Sequence, residues 1–303
     1  LDMPTIFVTP GPMMPGYTCM GVSDVITAFT ADAQKALEKL TDEQYQDIIE
    51  NCCPGEGSCA GLFTANSMAC ITEALGLSLP GMATSHATDS KKLRLAYESG
   101  KTIVDLVKEG ITARQIMTKE AFINAFIIDM AIGASTNTIL HLPAIAAEAG
   151  YSFNLDEINE ISQKTPNIVK LAPSSEYRMI DFDRAGGIPA VMKELEVLLH
   201  DVRTIESWIF CRSRFLAKNN NPEIIRPMER AYSSRGGISI LKGNLAPEGA
   251  VIKESGVSSD VKLPFVGEAK VFDSEEDATA FIKEGNLEKG QVLVIRYEGP
   301  AGG

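Results

Sequence analysis

The residues best suited to chemistry are the cysteines and glycines of residues 51–81. Gly57 and Gly61 flank Cys59, and glycine allows backbone conformations and close approaches that other residues resist. A helical apolar pattern begins at Leu62 and predicts that Cys59 lies just before a helix N-terminus. There the macrodipole and the free backbone amides favour a thiolate, the form that a metal ligand or a nucleophile needs. The alternative interpretation is a small buried cysteine in a tight turn.

The spacing of the cysteines does not by itself indicate a metal site. Cys53 and Cys59 are six residues apart, which is neither a zinc-knuckle nor a ferredoxin spacing. A zinc site completed by histidines would require distant loops to converge, because the sequence has only His86, His141 and His200. Six cysteines in 303 residues are too sparse for a disulfide scaffold, which favours a reducing compartment.

A second candidate site follows a strongly apolar segment. Residues 133–142 offer Ser135, Thr136, Asn137 and Thr138 as hydrogen-bond donors at a predicted helix N-terminus, an arrangement that suits a carboxylate. The alternative is that Ser135 or Asn137 simply caps the helix that follows. Propensity does not decide between the two interpretations.

The elements that must position these residues change in kind along the chain. Helical periodicity extends from residue 23 to about 150, and the segment 120–132 is apolar nearly all round, which predicts a central buried helix. Short strands are predicted after residue 222. The helices are predicted over residues 31–40, 120–132, 156–163, 189–199 and 274–284, and the strands over 5–9, 237–241, 250–252, 269–272 and 291–297. Asn154 or Asp156 is the predicted cap of the third helix, and Ser274 is that of the last.

The charge and hydropathy of the chain exclude several classes of protein. Lys and Arg number 28 and Asp and Glu number 40, which gives a formal net charge of −12 and argues against a nucleic-acid-binding surface. No run reaches the roughly 18 to 20 apolar residues that a membrane span requires. The first residues lack a basic segment followed by an apolar one, so nothing indicates secretion.

Several long motifs, in order along nearly the whole chain, resemble the dihydroxyacid and sugar-acid dehydratase family. They are residues 53–81, GASTNTILHLPAIAAEAG at 133–150, NPEIIRP at 221–227, GGISILKGNLAPEGAVIK at 236–253, and VFDSEEDATAFI and VLVIRYEGP within 271–300. The resemblance implies a hydro-lyase that converts 2,3-dihydroxy carboxylic acids to 2-keto acids. The run TANSMACITEALGLSLPG favours the branch that acts in valine, leucine and isoleucine biosynthesis.

The resemblance also implies cofactors. The family holds a 2Fe-2S or 4Fe-4S cluster on three cysteines, and Cys59, in the matching GSC-x-G motif, is expected to be the third. Cys53 matches a neighbouring cysteine of close relatives and is expected to pack, and Cys19, Cys52, Cys70 and Cys211 are expected to have structural roles. Ser135 and Asn137 are expected to bind substrate, and His141 is expected to be structural rather than a base.

Other parts of the family site have no counterpart in residues 1–303. They are the first two cluster cysteines, an Asp and a carbamylated Lys that bind Mg²⁺, a Mg²⁺-binding glutamate, and the serine that acts as base. We therefore expect an internal fragment that is inactive alone. Residues 9–16 match the family's Gly-Gly-Pro-Met turn, with Pro10 replacing the first glycine, and are expected to line the site. Glu298 is left without a role.

The architecture implied by the resemblance is α/β. An N-terminal α/β domain with a parallel sheet, residues 1–217, is expected to pack on a smaller, truncated, β-barrel-like C-terminal domain, residues 218–303. The protein is expected to form a homodimer or a larger homo-oligomer. Its expected location is the cytoplasm, or an organelle matrix if the source is eukaryotic. Residues 203–215 depart from the family pattern. Either a local reading-frame slip or a divergent linker explains them.

Two other functions remain open from the sequence. The first is a sugar-acid dehydratase of the gluconate or arabinonate type, which shares the cluster motif and the chemistry. The second is a non-catalytic binding domain that has kept the fold. Both accept a small molecule rather than nucleic acid or membrane as the partner.

Overall fold

The structure is a computed structural model that describes residues 2–206, 217–258 and 260–299. The α-helices in these ranges are α1 (Val25–Ala36), α2 (Asp42–Asn51), α3 (Thr64–Ala74), α4 (Ser90–Glu109), α5 (Ala113–Ile116), α6 (Lys119–Ile132), α7 (Thr138–Ala149), α8 (Leu155–Lys164), α9 (Met179–Ala185), α10 (Gly187–Glu194) and α11 (Glu275–Lys283). The strands are β1 (Gly16–Thr18), β2 (Gly21–Ser23), β3 (Ser239–Leu241), β4 (Ala250–Ile252), β5 (Ala269–Phe272) and β6 (Val292–Ile295). No helix within the described ranges has both the length and the apolarity of a bilayer span.

The chain divides into two compact units. The larger comprises Leu1–Met14 and Gly55–Val257, and the smaller comprises Pro15–Pro54 and Ser258–Gly303. The sequence predicts a single boundary at residue 217, whereas each of these units combines two separate segments of the chain. The boundary at residue 217 stays a prediction. Both sequence segments that carry the candidate site, around Cys59 and around residues 133–137, belong to the larger unit.

Helix α6 forms the centre of the larger unit. It is buried nearly all round, as its sequence predicts, and it packs against α3, α7, α8 and α10. The ring of Phe126 lies 5.1 Å from that of Phe153, and Phe122 lies 6.1 Å from the same ring. Gly133, with a φ of +56°, ends the helix in the left-handed conformation that glycine adopts without strain. The turn after α6 therefore starts from a rigid core element.

The predicted helix ends are confirmed where a cap fixes them. Asn154 caps α8 by accepting the amide of Glu157, and Ser274 caps α11 by accepting the amide of Asp277. The helix predicted over 31–40 is confirmed only for residues 31–36, because α1 begins after its cap Asp24 and ends at Ala36. The helix predicted over 189–199 begins earlier, in α10, and gives way to a 3-10 turn over Glu196–Leu198.

The N-terminal run 5–9 is extended but is not a strand in the structure. Phe7 donates its amide to the carbonyl of Leu77 at 2.9 Å, and its own carbonyl accepts the hydroxyl of Ser78 at 3.1 Å. These are isolated contacts with the loop after α3, and no ladder of backbone bonds continues from them. Ile6 packs against the core of the larger unit, whereas Phe7 and Val8 are exposed.

The predicted parallel sheet of the N-terminal domain is wrong for residues 2–206. The strands there form the antiparallel hairpin β1–β2, and helices rather than a sheet cover α6. Strands β3 and β4 pair antiparallel, and β5 and β6 pair parallel. Each sheet of the described residues has two strands, and none closes into a barrel. The short strands predicted after residue 222 are confirmed individually.

The smaller unit combines segments from both ends of the described chain. Helices α1 and α2 share a core of Ala31, Leu40, Ile48 and Cys52. Helix α11 packs against α1, and Lys283 lies 3.7 Å from Asp32. Exposed ion pairs of this kind contribute little to stability, so the apolar core holds this unit together.

Candidate active site

Cys59 lies half-buried in an irregular segment, and α3 begins five residues later, at Thr64. The prediction that Cys59 directly precedes the helix is therefore wrong. Residues 60–62 bend between Cys59 and α3, and the amide of Leu62 donates to the carbonyl of Ala172 at 2.8 Å. A Cβ on Gly61 would lie 2.8 Å from the same carbonyl oxygen, so only glycine fits beside it. The macrodipole acts mainly within the first turn and does not explain this cysteine.

The loop of residues 9–14 runs beside the cysteine segment. Ser58 donates its amide to the carbonyl of Gly11 at 2.9 Å, and Met13 donates to the carbonyl of Ser58 at 2.7 Å. Gly57 has a φ of +121°, and a Cβ there would lie 2.6 Å from the amide nitrogen of Met13. The close pairing of the two segments therefore requires glycine at position 57. This places the loop predicted to line the site directly against Cys59.

Lys92 of α4 holds the same loop from its other side. Its Nζ donates to the carbonyl of Thr9 at 3.1 Å and also to the carbonyl of Met82. Burial lowers the pKa of Lys92 to about 8, and the carboxylates of Glu73 and Asp183 oppose this change. A buried ammonium that donates to backbone carbonyls fixes their positions, because leaving the charge unpaired would be costly. Lys92 is therefore a structural anchor of the loop.

His86 is buried next to the carbonyl of Pro12 in this loop. The imidazole is 5% exposed, and in the described residues neither ring nitrogen has a well-aligned hydrogen-bond partner. Burial lowers the pKa of His86, and the nearby Asp183 and the carbonyl of Pro12 oppose the change. The neutral imidazole is the form that such an apolar position favours. The amide of Ala87 donates to the carbonyl of Pro12 at 3.1 Å and completes this contact.

Asn66, in the first turn of α3, connects the cysteine segment to the helix. Its Nδ2 donates to the carbonyls of Cys59 at 2.5 Å and Gly61 at 2.7 Å. Its Oδ1 accepts the hydroxyl of Ser58 at 2.6 Å. The side chain is 1% exposed, so these bonds replace water entirely. Asn66 thus fixes the backbone on both sides of the thiol.

Replacing Asn66 by aspartate is expected to destabilise the larger unit by about 2–4 kcal/mol. Aspartate has the same shape but cannot donate while ionised, so the carbonyls of Cys59 and Gly61 lose their donors and face a buried charge. Urea denaturation of the full-length protein measures the change. Asn244→Asp is the matched control, because Asn244 is exposed in the loop after β3 of the same unit, and it is expected to change the stability by less than about 0.5 kcal/mol. Equal effects of the two substitutions would contradict the assignment.

The turn of residues 133–137 lies against the first turn of α3. The hydroxyl of Ser135 is 3.0 Å from that of Thr64, and Nδ2 of Asn137 donates to Oγ1 of Thr64 at 2.7 Å. The amide of Ser135 donates to Oγ of Ser67 at 3.0 Å. Asn137 occupies the N-cap position of α7, yet its side chain makes no capping bond there. The side-chain cap considered for Asn137 is therefore absent, whereas the hydroxyl of Ser135 accepts the amide of Asn137 at 3.3 Å.

These contacts bring together the two segments that the sequence analysis singled out. Asn66 holds the carbonyl of Cys59, and Thr64, two residues away on the same helical turn, contacts Ser135 and Asn137. The connecting roles of Thr64 and Asn66 were not predicted from the sequence. The available signal was the cluster of the polar residues Thr64, Asn66 and Ser67 at the start of a predicted helix.

The other candidate residues have different surroundings. Cys53 is exposed, not packed as expected, and Cys19 is also exposed. Cys52 and Cys70 are buried, in line with structural roles, whereas Cys211 and most of the divergent stretch 203–215 lie outside the described residues. His141 is exposed on α7 and does not have the packed position expected of it.

The described residues fit only part of the implied cofactor set. No group of three or more His, Cys, Asp or Glu side chains in the described ranges is arranged to hold a metal ion. Cys59 fits as one thiolate ligand, because it is half-buried and its backbone is fixed by Asn66 and by loop 9–14. Glu298 is exposed and accepts the amide of Glu275 at 3.2 Å, as a cap of α11.

Comparison with protein-family models gives two consecutive matches. Residues 1–209 match the dihydroxy-acid/6-phosphogluconate dehydratase N-terminal model, and residues 223–303 match the C-terminal model of the same family. The two matches leave out residues 210–222, which include much of the stretch that departs from the family pattern.

Curated relatives match over the whole chain. The chain is 50% identical over 306 residues to the dihydroxy-acid dehydratase of Caldanaerobacter subterraneus subsp. tengcongensis, and 50% identical over 310 residues to that of Methanothrix thermoacetophila. It is 48% identical over 308 residues to the dihydroxy-acid dehydratase of Methanococcoides burtonii. All of this chain is covered in each case, against 55%, 55% and 56% of the relatives. The chain thus spans about half the length of these relatives, and it belongs to the dihydroxy-acid/6-phosphogluconate dehydratase family.

Proposed function

We propose that the full-length protein containing this chain is a dihydroxy-acid dehydratase, a hydro-lyase of valine, leucine and isoleucine biosynthesis. The observation that carries the proposal is the 46–50% identity to relatives named dihydroxy-acid dehydratase across all 303 residues. The substrate would be 2,3-dihydroxy-3-methylbutanoate and the product 3-methyl-2-oxobutanoate. The substrate loses the C3 hydroxyl and the C2 proton as water, and the resulting enol tautomerises to the keto acid.

Cys59 would contribute one thiolate to an iron–sulfur cluster of the 2Fe-2S or 4Fe-4S type. When bound, the cluster and Mg²⁺ supply Lewis acids, which assist the departure of hydroxide and stabilise the developing negative charge. The chain's own part is to hold the Cys59 thiol in place. The contacts of Asn66 and loop 9–14 on either side of the thiol support this role. The remaining ligands would come from sequence that the relatives have and this chain does not include.

Ser135 and Asn137 would bind the substrate carboxylate. Their side chains lie at the N-terminus of α7, a twelve-residue helix, where backbone amides and the positive end of the macrodipole favour an anion. Asn137 is exposed and Ser135 is half-buried, so both are accessible to a ligand. Thr64 supports the two side chains from α3. These residues orient the substrate and do not transfer the proton.

Replacing Asn137 by alanine in the full-length enzyme is expected to raise KM for the dihydroxy acid about tenfold, with a smaller effect on kcat. A hydrogen bond to a charged group contributes about 1.5–3 kcal/mol, and losing a bond made in both ground and transition states raises KM selectively. Steady-state kinetics measure the change. Asn220→Ala is the control, because Asn220 is exposed in the larger unit and its side chain donates to the carbonyl of Arg184 at 3.3 Å. A KM unchanged by Asn137→Ala would remove this residue from the binding site.

A substrate comparison tests the proposed function itself. The full-length protein, supplied with iron, sulfide and Mg²⁺ without oxygen, is expected to turn over 2,3-dihydroxy-3-methylbutanoate with a kcat/KM at least about a hundredfold above that for gluconate. Such a ratio corresponds to about 2.7 kcal/mol of transition-state discrimination. A preference for gluconate, arabinonate or 6-phosphogluconate would identify a sugar-acid dehydratase of the same family. Absence of turnover with every substrate would favour a non-catalytic role.

The remaining expectations are proposals about the full-length protein. They are an N-terminal domain ending near residue 217, a homodimer or larger homo-oligomer, and a cytoplasmic location. Size-exclusion chromatography with light scattering tests the assembly, and limited proteolysis tests the domain boundary. A monomer, or cleavage far from residues 206–222, would contradict the corresponding proposal.

A further inference from the structure

Lys253 joins the C-terminal family segment to the candidate substrate turn. It directly follows β4, and its Nζ donates to the carbonyls of Gly133 at 2.7 Å and Ala134 at 3.0 Å. Gly133 ends α6, so these carbonyls belong to the helix C-terminus, where backbone acceptors lack intrahelical partners and a cation is favourable. Lys253 therefore fixes the two residues that directly precede Ser135.

Asp129, one helical turn before the end of α6, completes the anchor. The carboxyl is fully buried, and its Oδ2 lies 2.8 Å from Oγ1 of Thr138, whose hydroxyl is also 2.7 Å from the carbonyl of Ser135. Burial raises the pKa of Asp129 to about 7, while its bond from Thr138 and the charge of Lys253 oppose the change. Burial lowers the pKa of Lys253 to about 8, and Asp129 opposes that change. Each charge therefore stabilises the other.

The backbone packs closely around Gly133. A Cβ on Gly237 would lie 2.5 Å from Cα of Gly133, and a Cβ on Gly133 would lie 2.7 Å from Oγ of Ser255. The amide of Ser255 donates to the carbonyl of Gly237 at 3.0 Å, which ties these neighbours together. Residues 237 and 255 thus pack directly against Gly133, and Lys253, from the same segment, bonds the carbonyls of Gly133 and Ala134.

We propose that Lys253 is a positioning residue for substrate binding: by holding the carbonyls of Gly133 and Ala134, it fixes Ser135 and Asn137 in the orientation that receives the substrate carboxylate. The inference rests on the proposed function for the identity of the ligand. The ammonium also lies close to the turn, so its charge favours an anion there. The contribution comes from the C-terminal family segment, although Ser135 and Asn137 belong to the N-terminal one.

The test replaces Lys253 by methionine in the full-length protein. Methionine keeps most of the length and the apolar stem but removes the charge and all donors. We expect KM for 2,3-dihydroxy-3-methylbutanoate to rise about tenfold, kcat to change less than about threefold, and the iron content to stay at the wild-type value. Hydrogen–deuterium exchange at the amides of residues 134–138 is expected to become about tenfold faster. Lys253→Arg is expected to restore most of the affinity, because arginine also donates and stays charged.

Lys242→Met is the matched control. Lys242 follows β3 and pairs with Asp156 at 2.5 Å on an exposed surface, so neither KM nor exchange at the turn is expected to change. If Lys253→Met does not fold, Lys253→Gln takes its place, since it retains a donor without the charge, and an intermediate KM is expected.

The two readouts separate the failure of this inference from that of the proposed function. Unchanged exchange at residues 134–138 in Lys253→Met would overturn the anchoring role whatever the wild-type activity. Faster exchange with an unchanged KM would overturn the role in substrate binding. A wild-type protein without dehydratase activity would instead refute the proposed function, and the exchange measurement would still decide whether Lys253 anchors the turn.

Discussion

Replacing Cys59 by serine in the full-length protein is expected to lower kcat/KM for 2,3-dihydroxy-3-methylbutanoate by about a thousandfold or more. Such a loss corresponds to about 4 kcal/mol of transition-state stabilisation. Cys59 is the only cysteine of the larger unit's described residues that is not fully buried, and its backbone is held by Asn66. A serine hydroxyl is a poor replacement for a thiolate as a ligand of iron. The iron content per chain is therefore expected to fall together with the activity.

Cys53→Ser is the matched control for this prediction. Cys53 is exposed and belongs to the smaller compact unit, so its replacement is expected to leave the iron content and kcat/KM within about twofold of the wild type. Visible absorption, iron analysis and steady-state kinetics measure both variants. The assignment of Cys59 would be contradicted by a Cys59→Ser protein that retains its iron and its activity, or by an equal loss in Cys53→Ser.

Replacing Phe126 by alanine is expected to lower the free energy of unfolding of the larger unit by about 3–5 kcal/mol. The ring is fully buried in the middle of α6 and contacts the ring of Phe153. The cavity cannot collapse easily, because α3, α7 and α8 surround this helix. Since domains are commonly stable by about 5–15 kcal/mol, much of the stability would be lost. Equilibrium urea denaturation with a fluorescence or circular dichroism signal measures the change.

Phe29→Ala is the control for this substitution. The residue type is the same, but the Phe29 side chain is 72% exposed on α1, so its removal is expected to cost less than about 0.5 kcal/mol. A comparable loss in both variants would show that α6 is not the central element. Loss of packing around α6 is also expected to disturb the candidate site, because α6 leads into the turn that carries Ser135 and Asn137.

The helices were predictable where local chemistry fixes them. The segment of α6 is apolar on every side and too long for a strand, and Asn154 and Ser274 are strong N-cap residues, so these elements follow from the sequence alone. The helix over 31–40 was misplaced because its start depends on Asp24, which lies outside the most periodic stretch. Helix boundaries follow the cap rather than the centre of the apolar pattern.

The sheet and the surroundings of the site depend on contacts between distant residues. The amide of Leu62 bonds the carbonyl of Ala172 instead of a helical partner, and α3 begins only at Thr64. Cys59 is therefore separated from the N-terminus of α3. Local periodicity contains no information on such a partner. The parallel sheet was expected from resemblance rather than from a pattern in residues 2–206, and in this region helices bury the apolar surface instead.

The site was predictable as a set of residue types but not as a set of contacts. The glycines around Cys59 and the donors of residues 133–138 are visible in the sequence. The roles of Asn66 and Lys253 are not, because each bonds backbone carbonyls, which every residue type possesses. Lys253 acts on carbonyls 119 and 120 positions away in sequence. Only the fold reveals such a pair.

We propose that this chain forms part of an enzyme that removes water from a 2,3-dihydroxy acid by way of an enol. The most direct test is to run the full-length enzyme on 2,3-dihydroxy-3-methylbutanoate in D₂O and to analyse the product by mass spectrometry at early times. Because the C2 proton leaves and the enol takes a solvent deuteron at C3, the expected product is 3-methyl-2-oxobutanoate with one deuterium at C3. Product that retains the original C2 hydrogen at C3, or the absence of any keto acid, would contradict it.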